Sequence, residues 1–373
     1  MLLRVNAHHP TRRSGGCGVS HFGACIYACC CQTDWQARWY IRKYSWKRLG
    51  RSEPPSTMKQ SVGLLSLVSA IAPVLAGTYS RTQNIVGTGF YNAFEFEAIG
   101  DPTQGRVNYV DRATAQAQNL TFASADKFVL RTDATTVIGD GSPVGRNSVR
   151  IRTTATYTTH VAVFDIQHMP QGCGTWPAVW ETDEDSWPRG GEVDILEGVN
   201  DQGPNQITLH TSPGCTMPAS RDQTGTSLQL DCDTNVNNNV GCGVNAVVPT
   251  SYGPTFNANG GGWYAVERTN SFINVWFWSR SAGNVPADVA QGGSSVDTST
   301  WGTPTANFPS TSCNIPEFFS PNNIIINLTL CGDWAGSVYP ASGCPGTCNE
   351  FVDKNPTALA AAYFEFNSIN VYQ

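Results

Sequence analysis

What most limits the fold of this chain is the absence of a sustained helical period anywhere from Gly77 to Gln373. In its place come short apolar or alternating segments, at 90–98, 149–153, 161–167, 192–197, 206–210, 272–279, 324–330 and 363–372. Clusters of Gly, Pro and Asn separate them, as at 139–145 and 257–262, which is strand-and-turn chemistry. One short helix is expected at 356–362. So many short strands predict an all-β fold, a two-sheet antiparallel sandwich with one sheet curved into a concave cleft. In the segment 272–279, Ile273, Val275 and Phe277 share one face and are expected to fill the sandwich. Trp276 and Trp278 take the other face, which is expected to be the concave side or its rim.

Within that pattern the stretch 190–197 carries three carboxylates in six residues, Glu192, Asp194 and Glu197, interleaved with Val193, Ile195 and Leu196. On a regular strand Glu192 and Asp194 would share a face and Glu197 would point away. A β-bulge between Asp194 and Glu197 would bring all three to one face, and bulges are common beside active sites. Two glutamates with an aspartate between them suit the carboxyl separation of about 5 Å that retaining glycosyl transfer requires. Alone, E-x-D-x-x-E also fits the wet face of an edge strand or a calcium site. Its surroundings favour chemistry on sugars. Trp176 and Trp180 precede it, Trp187 leads directly into it, and His210 sits on the following strand. Indole faces stack on the apolar faces of sugar rings.

Charge narrows the partners. Charged residues make up only 14 % of the chain. After Ala76 there are 13 basic against 27 acidic residues, which disfavours nucleic acid and anionic membrane and is compatible with a neutral polysaccharide. Residues 1–57 read differently, with nine Lys or Arg, two acids and five of the 13 cysteines. Met58 then opens a short polar segment before the apolar run 61–76, which contains Pro73 and is shorter than the roughly 20 residues a membrane span needs. Val74 and Ala76 occupy the small-residue positions of a signal-peptidase site. The expected organisation is an upstream extension at 1–57, a signal peptide at 58–76 and one secreted domain at 77–373. A basic cytoplasmic tail with an uncleaved signal anchor is the alternative.

The eight cysteines from Cys173 to Cys348 predict four disulfides whose pairing the spacing leaves open. No arrangement of Cys and His reads as a zinc site, and neither a metal nor a cofactor is expected. Asn119 and Asn327 open N-glycosylation sequons. A monomer is expected.

The acidic segment, with Gly174-Thr175-Trp176-Pro177-Ala178-Val179-Trp180 and Trp187-Pro188 flanking it, resembles glycoside hydrolase family 16, in particular the basidiomycete-type laminarinases. The similarity extends over 77–373 and takes in 105–111, 208–212 and 275–280. It implies a β-jelly-roll fold and an endo-acting retaining glucanase for β-1,3- and mixed-linkage β-1,3(4)-glucans. It further implies Glu192 as nucleophile, Glu197 as general acid and base, and Asp194 as a hydrogen-bonding partner of Glu192. His210 resembles the family histidine that contacts sugar near the cleavage point. Trp187 and then Trp176 are the strongest subsite candidates. Trp180 is divided between cleft and core, because the three tryptophans are not expected all to line the cleft. Trp334, on a loop beside Cys331, fits a leaving-group subsite or a structural plug. Two other functions stay open, a catalytically silent glucan lectin and a wall transglycosylase. The wall-remodelling branch of the family has the shorter E-x-D-x-E, whereas this chain has the longer form.

Overall fold

A computed structural model describes residues 77–373, and the expectations for 1–57 and 58–76 lie outside the described residues. Two antiparallel sheets face each other. The eight-stranded sheet runs in the order Thr226–Ser227, Val244–Asn245, Gln202–His210, Glu192–Val199, Thr175–Thr182, Asn323–Leu330, Arg150–Thr153, Phe94–Phe96. The main path of the nine-stranded sheet runs Ser295–Asp297, Thr78–Ile85, Tyr363–Tyr372, His160–His168, Gly262–Arg268, Phe272–Ser279, Ala306–Pro309. Phe128–Arg131 and Thr121–Ala123 branch from its Tyr363–Tyr372 strand. No helix among the described residues is long and apolar enough to cross a membrane.

Alternation explains the packing. Val179, Val193, Ile195, Leu196, Ile207, Leu209, Ile324 and Ile326 point inward from one sheet. Phe164, Ile166, Tyr264, Val266, Ile273, Val275 and Phe277 meet them from the other. Each such side chain fully removed from water contributes about 1.5–3 kcal/mol of hydrophobic free energy. One polar contact crosses the apolar layer, His160 Nε2 to Glu181 Oε1 at 2.9 Å, with both side chains fully buried. Removing either partner would strand a polar or charged group in the core. Among the described residues the disulfides are Cys173–Cys344, Cys215–Cys313, Cys232–Cys242 and Cys331–Cys348.

Three expectations need correction. Trp276 and Trp278 do not face the concave side. They lie on the outer face of the nine-stranded sheet, buried with Val161, Val163, Trp263, Val296 and Trp301. The parity was right, but this sheet's second face is roofed by the segment that carries Val289, Val296 and Trp301 rather than left open. Of 90–98 only Phe94–Phe96 is strand. Phe90–Ala93 is one helical turn, because Phe90 and Phe94, four residues apart, both insert into the core with rings 5.5 Å apart. At 356–362 only Pro356–Leu359 is helical, as a 3-10 turn, and the longer helix is Cys348–Lys354 just before it.

Candidate active site

The acidic strand Glu192–Val199 lies between Thr175–Thr182 and Gln202–His210 in the eight-stranded sheet. Its register slips between Asp194 and Glu197 against Gln202–His210, and between Asp194 and Leu196 against Thr175–Thr182. The extra residue is the expected bulge. Val193, Ile195 and Leu196 all enter the core, while Glu192, Asp194 and Glu197 line the open side. Asn205 fills the irregularity. Its Oδ1 accepts from the Glu197 amide at 2.8 Å, and its Nδ2 donates to the Ile195 carbonyl at 3.0 Å. A bulge leaves backbone groups unpaired, and this fully buried amide satisfies one of each kind. Sequence reading passed over Asn205, although an asparagine within a strand is itself a signal because the residue is depleted there.

Each glutamate receives one indole hydrogen. Trp187 Nε1 donates to Glu192 Oε2 at 2.7 Å, and Trp176 Nε1 donates to Glu197 Oε1 at 2.8 Å. His210, opposite Glu192 in the register, places Nε2 at 3.5 Å from Asp194 Oδ2 and 4.0 Å from Glu192 Oε1. Glu192, Asp194 and His210 bring ligand atoms within 4.8 Å of one another, a grouping that could hold a metal ion.

Burial dominates the electrostatics. It pushes Glu192 up to about 7, against the Trp187 hydrogen bond and the Arg150 guanidinium, which pull the other way. Burial likewise raises Glu197 to about 7, opposed by the Trp176 hydrogen bond and His210, with Glu192 adding to the rise. Asp194 is raised well above the usual carboxylate range by burial and by its two glutamate neighbours. Burial lowers His210, while Glu197 and the Asn239 hydrogen bond favour its charged form. Three carboxyls this close cannot all ionise, so the set keeps protons near neutral pH.

The carboxylates sit in a cleft of about 870 Å³. Trp176, Trp187, His210 and Trp334, the candidate subsite residues, all line it together with Glu192, Asp194 and Glu197. Trp180 lines it as well, so the expectation that the three tryptophans divide between cleft and core is corrected. Trp176 and Trp180 are four residues apart on one side of the Thr175–Thr182 strand, while Trp187 comes over from a loop. Trp334 meets Trp176 edge-on, ring centroids 5.7 Å apart, on the Glu197 side.

Among the lining residues that were not anticipated, two bear on the site's construction. Arg150 spreads its guanidinium 5.0 Å from the Trp180 ring, bonds Glu97 at 2.7 Å and pairs with Glu184. The facing pattern of Arg150 and Arg152 on one strand against Glu95 and Glu97 on its neighbour could have signalled this ladder. Asn327 is the second, and it removes one sequon. It is buried on the cleft floor, accepts from Trp180 Nε1 at 2.7 Å and donates to the Tyr109 hydroxyl at 3.2 Å. A glycan there is incompatible with the folded cleft, whereas Asn119 is exposed at a turn.

Comparison with known proteins agrees with this geometry. A family model described as the XgeA-like, catalytic GH16 domain matches residues 94–372. Laminarinase 16A from Phanerochaete chrysosporium, solved with 6-O-glucosyl-laminaritriose in both donor and acceptor sites, is 62 % identical with a TM-score of 0.79. The match covers 80 % of this chain and all of that one. An elongating family 16 β-1,3-glucosyltransferase is 38 % identical with a TM-score of 0.74, over 79 % of this chain and all of that one. A probable glycosidase of Schizosaccharomyces pombe is 42 % identical across 80 % of this chain and 70 % of its own. The chain spans about half the length of the probable endo-1,3(4)-β-glucanases it matches, such as that of Aspergillus niger. Fold and site together define a glycoside hydrolase built on an antiparallel β-jelly roll. The chain belongs to glycoside hydrolase family 16.

Proposed function

We propose that this chain is a secreted, endo-acting β-glucanase that cleaves β-1,3- and mixed-linkage β-1,3(4)-glucans with retention of configuration. The observation that carries the reading is the bulged strand. It puts Glu192 and Glu197 on one face of an open cleft, each held by an indole N–H, with Asp194 between them. Glu192 attacks the anomeric carbon as Glu197 protonates the departing glycosidic oxygen, leaving a glycosyl ester on Glu192. With Glu192 esterified its charge is gone and Glu197 loses a proton more easily, so it can deprotonate the incoming water. Trp176, Trp180, Trp187 and Trp334 offer indole faces to successive sugar rings. The substrate class is supported by the similarity to probable endo-1,3(4)-β-glucanases and by the laminarinase match. Four disulfides, and the apolar run ahead of Gly77, support an extracellular site of action.

The stereochemistry of azide rescue tests the two roles. Glu197→Ala still forms the glycosyl-enzyme from an activated aryl glycoside, and azide then gives the β-glycosyl azide. Glu192→Ala has lost the attacking group, so azide enters from the opposite face and gives the α-product. Adducts the other way round reverse the roles, and no rescue of either variant refutes the double displacement.

A second reading, glucosyl transfer to a sugar acceptor, is favoured by the similarity to the elongating glucosyltransferase. Sizing the products from laminarin separates the two: shortened reducing oligosaccharides mark hydrolysis, and chains longer than the donor mark transfer. A silent lectin on the same fold would release no reducing ends.

A further inference from the structure

His210 is held from three sides, and only one of them belongs to the carboxylate strand. Nε2 faces Asp194 Oδ2 and Glu192 Oε1. Nδ1 lies 2.9 Å from Asn239 Oδ1. Gly241 presses on the ring edge, where a Cβ would come within 2.8 Å of His210 Cε1 and 2.6 Å of the Leu209 carbonyl oxygen. Asn239 and Gly241 belong to the short loop closed by the Cys232–Cys242 disulfide.

That loop is built for a fixed shape. Asn237, Asn238 and Asn239 follow one another at φ 51°, 57° and 59°, a left-handed run that asparagine tolerates better than other residues with a Cβ. The Asp233 carboxylate accepts from the Asn235 amide at 2.9 Å, and the Asn239 amide donates to the Val236 carbonyl at 3.1 Å. At its far end the Cys242 amide returns to the Leu209 carbonyl at 3.1 Å, one residue from the histidine.

We propose that Asn239 is a positioning residue for the reaction. It holds neutral His210 with the ring proton on Nδ1, so that Nε2 accepts the proton carried by Asp194 and Glu192 stays free as a carboxylate. The amide oxygen of Asn239 can only accept, so the hydrogen in that bond is the ring's own. A bare Nε2 facing Asp194 Oδ2 then requires a proton between them. Asp194 Oδ2 is buried and has no hydrogen-bond partner among the described residues, and the ring nitrogen faces it at 3.5 Å. The titratable groups facing the ring are Glu192, Asp194 and Glu197, all from one strand, and Asn239 supplies the neutral constraint from the opposite side. The inference rests on Glu192 being the nucleophile, but its first readout needs neither substrate nor turnover.

The experiment uses the full chain labelled with 15N-histidine, His210 being assigned by the signal lost in His210→Gln. Long-range 1H–15N correlations at a pH where the ring is neutral read the tautomer. The expected wild-type form carries hydrogen on Nδ1. Asn239→Gly suits the left-handed backbone while removing the amide, and should show mixed tautomers and a fall in kcat of about tenfold with KM little changed. Asn239→Asp keeps an acceptor at Nδ1, and should keep the tautomer and recover most of kcat. A wild-type ring protonated on Nε2 overturns the proposal. So does an unchanged tautomer in the Gly variant, or equal loss of kcat in the Gly and Asp variants. Failure of the azide stereochemistry with the tautomer as expected would instead locate the error in the assignment of the glutamates.

Discussion

Two groups of tryptophans occupy opposite sides of the molecule, and they are used in opposite ways. On the outer face of the nine-stranded sheet Trp263, Trp276, Trp278 and Trp301 are only 4–7 % exposed. Trp276 and Trp278 lie parallel, and both meet Trp301 edge-on at 5.2 and 5.6 Å. Two of their polar hydrogens go to structural acceptors, Trp276 to the Gly302 carbonyl and Trp301 to Asp288, while Trp263 Nε1 is buried without a partner among the described residues. In the cleft, Trp187 is 45 % exposed, and the indole hydrogens of Trp176 and Trp187 go to the two glutamates. Ring count and strand parity do not distinguish the groups. What distinguishes them is whether another segment covers the ring face and which acceptor takes the N–H.

The sharpest test of that contrast removes the acceptors. Glu192→Ala is expected to lower kcat on laminarin by about 10⁴-fold or more, equivalent to at least roughly 5 kcal/mol, with the melting temperature unchanged or raised, since a buried acid has gone. A loss below a hundredfold would place the chemistry elsewhere.

On the other face, Trp301→Ala should cost about 3–5 kcal/mol of stability, through the cavity left among Trp276, Trp278 and Val296. Denaturant melts would read this, and kcat per folded molecule should not move. A changed KM with intact stability would make the outer cluster a binding surface and end the comparison.

Trp187→Ala is expected to do the reverse. It should weaken glucan binding by roughly 1–2 kcal/mol, about tenfold in KM, at unchanged stability. A collapsed melting temperature would move Trp187 into the structural group.

The smallest effect separates ring from hydrogen. In Trp187→Phe the donor that holds Glu192 down is lost, so Glu192, already up at about 7, rises further. As the proposed nucleophile Glu192 must be ionised to attack, so the acid limb of kcat/KM should move to higher pH by about one unit. In Trp176→Phe the same loss raises Glu197, which as the proposed general acid must be protonated, so the alkaline limb should move to higher pH instead. If both variants shifted the same limb, the two indoles would not serve separate glutamates.

The sequence made the strand pattern and the carboxylate trio readable for one reason. Both are periodic along a single stretch of chain, and a bulge is the only simple way to reconcile E-x-D-x-x-E with one face. What it hid depends on neighbours distant in the chain. Trp276 and Trp278 were placed on the correct side of their strand. That this side is roofed follows from Val289, Val296 and Trp301, whose arrival no local period announces. Trp180 was ambiguous because its N–H partner, Asn327, lies on a strand far along the chain. The same bond turns an apparent glycosylation sequon into part of the cleft floor. The strand Thr175–Thr182 was missed because Pro177 argues against a central strand. It is tolerated just past Ala178, where pairing with the acidic strand ends opposite Glu197.

The bulge beside Asn205 bears on how such a strand can change by mutation. Along an ordinary strand the loss of one codon turns every later side chain to the other face, and a catalytic residue beyond it is lost with no viable intermediate. Here the extra residue is slack that has already been taken up. Deleting either Ile195 or Leu196 would leave glutamate, aspartate and glutamate at alternate positions, still facing the cleft, with one fewer aliphatic in the core. The long and short forms of the motif are therefore one deletion apart, and Asn205 is the residue left without a partner when it happens.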